Sequence, residues 1–214
     1  MQTLASYLTD PRPAVRLRAV MAAGTTPAPD EMDLLVEQCA VEPDLQVREM
    51  LTWALVRLPA DLVVPRLLAE LDRPEPQARS QALHTLSKIR DRSVYPEVAR
   101  LLGDVDPGVA RTAWRAAVLL APESERPALA RTLAVQLGTG DPETRLALSR
   151  ALAGLGADVV GPVLAVAAEH RNEAVRAHAA ETARLLEDPD AGSALALARA
   201  RREVALGRTR SAKG

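Results

Sequence analysis

The sequence predicts an all-α solenoid of about six helical hairpins, closed by a C-terminal capping helix. Three observations predict it. First, 48% of the 214 residues are hydrophobic, yet aromatics make up only 2% and Phe is absent. The core must then be Leu, Val and Ala, which suits closely approaching helices better than strands, where β-branched and aromatic residues prevail. Second, the chain repeats itself. With Val47 as position zero, the equivalent residues are Val15, Val47, Ala78, Val109, Thr144 and Val175, at spacings of 32, 31, 31, 35 and 31. Third, apolar residues recur at positions 0, 4, 8 and 11 of each period, which is one face of an α-helix. Leu51, Leu55 and Leu58 fill positions 4, 8 and 11 of the second unit, and Ala113, Ala117 and Leu120 those of the fourth.

Each element follows from a local signal. Three residues before zero stand Asp44, Glu75, Asp106, Asp141 and Asn172. Asp and Asn there can accept hydrogen bonds from the free N–H groups that open a helix. One residue later come Pro13, Pro76, Pro107 and Pro142, at the first helical position, where a missing N–H costs nothing. This is helix B of each hairpin. A second, Pro-led helix A follows each B. Pro65, Pro96, Pro127 and Pro162 stand at position 18, and Leu35, Leu67, Val98, Leu129 and Leu164 at position 20. Cys39 falls on a core row of helix A and reads as a small buried hydrophobe. The long spacing of 35 places four extra residues after Leu133, in VQLGTGDP. They add about one helical turn, and Gly138 and Gly140 end that helix A. The predicted array spans 1–206, with units at about 1–27, 28–59, 60–90, 91–121, 122–156 and 157–187, a capping helix at 190–206 and a disordered basic tail at 207–214.

Bulk properties exclude several classes. The net charge of −1 supplies no basic excess for nucleic acid. One Cys allows no internal disulfide and no zinc pattern. The start, MQTLASYLTD, lacks the basic and apolar regions of a signal peptide. The longest apolar run, VVGPVLAVAA, is too short to span a bilayer. The expectation is a cytoplasmic protein without a membrane segment, metal or cofactor. GADVVGP and LGTGDP lack the strand and helix context of a phosphate-binding loop.

The stretches DPGVARTAWRAA (106–117) and PAVRLRAVMAAG (13–24) resemble HEAT repeats, and are closest to the short bacterial HEAT-like repeats also found in phycobilin lyases. The resemblance covers about residues 3 to 206. It implies a right-handed superhelix whose concave surface, lined by the B helices, binds other proteins. It also implies a structural ladder through the Arg after position zero, here Arg16, Arg48, Arg79, Arg145 and Arg176. In such a ladder Asp44 would reach Arg48, Glu75 would reach Arg79 and Asp141 would reach Arg145, each at i, i+4. Ala110 breaks the row in the fourth unit.

The remaining rows of helix B do not obey the repeat. Position 6 reads Met21, Trp53, His84, Arg115, Arg150 and Glu181; position 3 reads Arg18, Met50, Gln81, Thr112, Ala147 and His178; position 10 reads Thr25, Arg57, Lys88, Leu119, Gly154 and Leu185. These rows are expected to point away from the core. Along the array, Leu17, Met21, Met50 and Trp53 form an apolar zone, followed by Arg57, His84, Lys88, Arg111, Arg115 and Arg150. Such a face suits an acidic, partly apolar protein segment, and Trp and Arg often dominate interface energy. The plain alternative is a solvated helix face with Trp53 packed on the neighbouring B helix. Trp114, at position 5, is expected half-buried on the flank of the core.

The functional expectation is a non-catalytic scaffold or adaptor with a protein or peptide partner. The alternatives are a lyase or chaperone for a chromophore or other small ligand, and nucleic-acid binding through the basic zone. The array has few aromatics to stack on bases. The His-Glu pairs of deoxyhypusine hydroxylases are missing, and His84, His170 and His178 lie apart. The C-terminal ARARREVALGRTRSAKG carries six basic residues and one acidic residue, which suits a weak electrostatic contact or a solvated end. The oligomeric state stays open.

Overall fold

The computed structural model describes residues 3–188; the expected capping helix 190–206 and tail 207–214 lie outside the described residues. The described residues are helices joined by short turns, without a strand. They fall into two compact units, and the chain passes from one to the other between Glu123 and Ser124.

The first unit holds four hairpins. Their A helices are α1 (Leu4–Leu8), α3 (Met32–Val41), α5 (Ala60–Glu70) and α7 (Tyr95–Ala99); their B helices are α2 (Pro13–Thr25), α4 (Leu45–Val56), α6 (Pro76–Ile89) and α8 (Pro107–Leu120). The B helices pack in series, α2 on α4, α4 on α6 and α6 on α8. The second unit holds two hairpins, α9 (Arg126–Ala134) with α10 (Pro142–Leu155), and α11 (Ala157–Ala168) with α12 (Glu173–Glu187).

The repeated rows make the core of both units. Val47, Leu51, Leu55, Leu83, Leu86, Val109, Ala113 and Leu120 are buried in the first, and Leu148, Leu152 and Leu155 in the second. Cys39 is buried beside them, and burial pushes its thiol up to about 12, which leaves it protonated and inert.

Four helix starts are built as their residues require. Asp44 accepts from the Gln46 and Val47 amides, Asp106 from Gly108 and Val109, Asp141 from Thr144, and Asn172 from Ala174. Pro13, Pro76, Pro107 and Pro142 occupy the first helical position of α2, α6, α8 and α10.

Four expectations are corrected. The position 18 prolines do not all lead their helix: Pro65 and Pro162 lie inside α5 and α11, and only α7 and α9 open at theirs, after a short 3-10 turn. The extra residues of the fifth hairpin do not lengthen α9, which ends at Ala134. They form separate turns that bury Leu137, and Gly138 and Gly140 take φ of +80° and +77°. Position 3 does not point away from the core. Thr112 and His178 are buried, Met50, Gln81 and Ala147 half-buried, and Arg18 alone of the row is exposed. Trp114 is more buried than its flank position implied, at 3% exposure. Its ring N–H donates to the Leu102 carbonyl at 2.8 Å, which lets an indole lie inside.

Candidate functional site

The residues of the expected Arg ladder form a capping system, by a route different from the i, i+4 pairs. The guanidinium reaches back to backbone carbonyls five and six residues earlier. Arg48 donates to the Glu42 and Pro43 carbonyls, Arg79 to those of Arg73 and Pro74, Arg176 to those of His170 and Arg171, and Arg16 to that of Asp10. Where the next hairpin carries a carboxylate five residues before its zero position, the Arg also bridges the hairpins. Arg16 grips Glu42 with two bonds of 2.8 and 2.6 Å, and Arg79 grips Asp104 with two of 3.0 Å. Asp44 is committed to its helix cap and Glu75 to Arg73. Arg145 takes part through its backbone carbonyl, which faces His178.

Burial pushes the Glu42 carboxyl up. Its bonds from Arg16, the Asp44 amide and Gln38 outweigh that and hold it below the usual carboxylate range. Asp104 is balanced the same way, with burial opposed by Arg79 and the Asp106 amide.

Positions 6 and 10 of the first unit form the free face of its B helices. Met21 is 46% and Trp53 37% exposed, and Arg57, Lys88, Arg115 and Leu119 are exposed too. The indole of Trp53 rests against α2 at Gly24. A β-carbon there would stand 2.2 and 2.6 Å from two ring atoms, so only Gly admits the ring. Arg57 covers the ring from outside, its guanidinium carbon 5.1 Å from the ring centre, and donates to the Gly24 carbonyl. The cation thus sits over the π face where the ring quadrupole attracts it. Trp53 is both packed on the neighbouring B helix and half-open to solvent.

On the same helix as Trp53, Met50 is half-buried; on α8, Arg111 is half-buried and Arg115 donates to the Thr112 hydroxyl at 3.3 Å. His84 is half-buried, with Nε2 3.5 Å from the Glu49 carboxylate. Burial lowers its pKa, Glu49 works against that, and Lys88 and Arg115 add to it. Met21, Met50, Trp53, Arg57, His84, Lys88, Arg111 and Arg115 therefore belong to one unit. Arg150 lies on α10 of the second unit, exposed, where it borders a hollow of about 290 Å³ with Ala153, Leu185 and Leu186.

The second unit also carries a larger groove that the repeat pattern did not single out. It measures about 980 Å³ and runs between α9 and α11, over Pro127, Val159, Val163 and the turn at Leu137 and Gly138. Val135 and Val166 at its sides are 78% and 75% exposed. The equivalent seam of the first unit, between α3 and α5, is instead crossed by charge: Arg66 pairs with Asp33, Glu37 and Glu70. Among the described residues no three metal-binding side chains come together, and no helix is long and apolar enough to cross a membrane.

A family model described as HEAT repeats matches residues 64–136. No curated protein matches the chain. Among solved structures, an engineered protein from a structural genomics consortium shares 20% identity at a TM-score of 0.46, covering 88% of this chain and 96% of its own. A designed armadillo repeat protein in complex with the peptide (KR)4 shares 13% identity at a TM-score of 0.43, covering 86% and 98%. The residues matched, from within α5 to just past α9, carry HEAT repeats, and the hairpin period that they carry runs on through α2 at one end and α12 at the other.

Proposed function

We propose that the chain is a non-catalytic, cytoplasmic scaffold that holds an acidic, partly apolar protein segment on the B-helix face of its first unit. The carrying observation is the Trp53–Arg57 pair. An indole that is more than one-third exposed is held against the Gly24 backbone with the Arg57 guanidinium over its ring. Such restraint removes much of the side-chain entropy that docking would otherwise cost. Met21 and Leu119 extend the apolar surface, and Lys88 and Arg115 offer cations. Glu49, an acid on this face, has its carboxylate 3.5 Å from His84 Nε2.

An apolar anchor of the partner would rest beside Trp53 and Met21, and its carboxylates would meet Arg57, Lys88 and Arg115. Electrostatic pairing at the rim would set on-rate and salt dependence more than affinity. The indole would supply most of the energy, as buried aromatic anchors do.

The test compares the folded wild type with a Trp53→Ala, Arg57→Glu, Arg115→Glu variant in pull-downs from native lysate, followed by titration of the captured protein's acidic segment as a peptide. Binding should shift the Trp53 emission and weaken with salt. Trp53→Ala alone should weaken it at least tenfold, about 1.4 kcal/mol. Equal affinity for wild type and triple variant would remove the interface from this face.

A further inference from the structure

His178 is a buried titratable group that docking on the first unit does not use. It is 2% exposed, on α12, and every polar atom of its ring has a partner. The Gly138 amide donates to Nδ1 at 3.0 Å. That bond requires Nδ1 to be bare, so the ring hydrogen is on Nε2. Nε2 lies 3.0 Å from both the Arg145 carbonyl and the Ser149 hydroxyl, and its N–H donates between them. Ser149 then donates to the Thr182 hydroxyl at 2.8 Å, and Thr182 to the His178 carbonyl at 2.9 Å. The neutral ring thus satisfies a closed network joining α10, α12 and the turn after α9.

The imidazolium cannot satisfy it. A proton on Nδ1 would set two N–H donors face to face at 3.0 Å. The partner that would be lost belongs to the extra residues of the fifth hairpin. Gly138 holds φ of +80°, and a β-carbon there would come within 2.9 to 3.0 Å of the Val175 amide and the Ala174 carbonyl carbon. The turn is therefore pressed against the start of α12, and its amide is tied there by His178. The same turn, through Leu137, Gly138 and Thr139, forms part of the groove between α9 and α11.

We propose that His178 is a proton switch: neutral, it holds the 135–139 turn against α12, and protonated, it releases that turn and reshapes the groove. The added proton goes to Nδ1, and the Gly138 amide must turn to solvent or to another acceptor. Three surroundings face the ring. The Arg145 carbonyl of α10 and the Glu181 carboxylate of α12 favour the added proton, the Arg145 charge disfavours it, and the turn itself, VQLGTG, brings no charge. Burial is the largest influence and keeps the ring neutral to below the ordinary histidine range. The switch therefore works on the acid side of about pH 6.5.

The experiment is a pH series from 7.5 to 4.5 on the full chain, read two ways. Ring 15N shifts of wild-type protein should show His178 with bare Nδ1 at neutral pH and a transition to imidazolium as the pH falls. The Gly138 amide resonance should move with the same midpoint. Hydrogen exchange, corrected for its intrinsic pH dependence, should rise severalfold over 134–141 while 146–155 keeps its protection. His178→Gln, which offers one acceptor and one donor without titrating, should abolish the change. His170→Gln, at the groove but with Nδ1 bonded to the Asn172 amide, should retain it. Three results would overturn the proposal: a His178 ring that titrates while the Gly138 amide stays fixed, a ring that never titrates in the folded protein, or loss of protection over 146–155 together with 134–141. The wild-type spectra decide even if His178→Gln fails to fold.

Discussion

At the residue scale, Gly24 and Arg16 each predict a measurable effect. Gly24→Ala would gain about 1 kcal/mol of helix propensity, but overpacking costs about 1–3 kcal/mol. A β-carbon at 2.2 Å from the Trp53 ring cannot be absorbed in place, so the indole must leave. We expect a red-shifted Trp emission, with buried Trp114 as the unchanged background, and a melting temperature that does not rise. An unshifted spectrum would mean that the ring does not rest on Gly24. The Arg16–Glu42 pair is buried, and removing one partner leaves a desolvated charge behind, at about 3–5 kcal/mol. Arg16→Ala should therefore lower denaturant stability far more than Arg12→Ala, whose partner bond to Asp10 is solvent-exposed. The pH dependence follows in sign. The folded Glu42 carboxyl lies below its unfolded value. Its contribution is complete above about pH 4.3 and is lost as the pH falls through the folded value. Acid melting curves of Glu42→Gln should be flatter than those of the wild type. The sequence showed Trp53 as a departure from its row, because periodicity exposes whatever breaks it. Its support by Gly24 was hidden, because it lies across helices, 29 residues away in the chain.

At the element scale, the helix starts were legible because a cap is a local contact. Asp44, Asp106, Asp141 and Asn172 sit where the sequence put them and accept the amides that a cap should. Glu75, in the same row, does not cap α6 and turns to Arg73 instead. Its extra methylene carries the carboxylate past the amides that Asp reaches. Asp106→Ala should cost about 1 kcal/mol, seen as a lower melting temperature, whereas Glu75→Ala should cost less than half of that. What went unread was the row two residues earlier: Asp10, Glu42, Arg73, Asp104, Thr139 and His170. Four of these accept the amide two residues on, namely Asp10, Glu42, Asp104 and His170. The acids among them repeat as visibly as the caps do. The second role of Glu42 and Asp104, receiving the Arg of the preceding hairpin, needs the two hairpins placed side by side, and no spacing along one chain gives that distance.

At the scale of the whole molecule, repetition decides how damage spreads. In a chain of hairpins stability is close to a sum of hairpin terms and nearest-neighbour contacts. Val109 and Leu148 are both buried, in the first and second units respectively. A charge at either site is uncompensated in an apolar core and should be severely destabilising. Hydrogen exchange should show the loss centred on the substituted hairpin, α7–α8 for Val109→Asp and α9–α10 for Leu148→Asp, and fading with distance along the chain. Uniform loss over all described helices in both variants would mean that the chain folds as one all-or-none body. Arg115→Ala should leave the exchange pattern and the melting temperature unchanged, since Arg115 is exposed and bonds to the hydroxyl of Thr112 on its own helix. The core rows carry one chemistry because each must fit the next hairpin. The free face is released from that demand where no side chain crosses to the next helix, and so Lys88 and Arg115 can vary in chemistry there, whereas Trp53 and Arg57 are matched to Gly24.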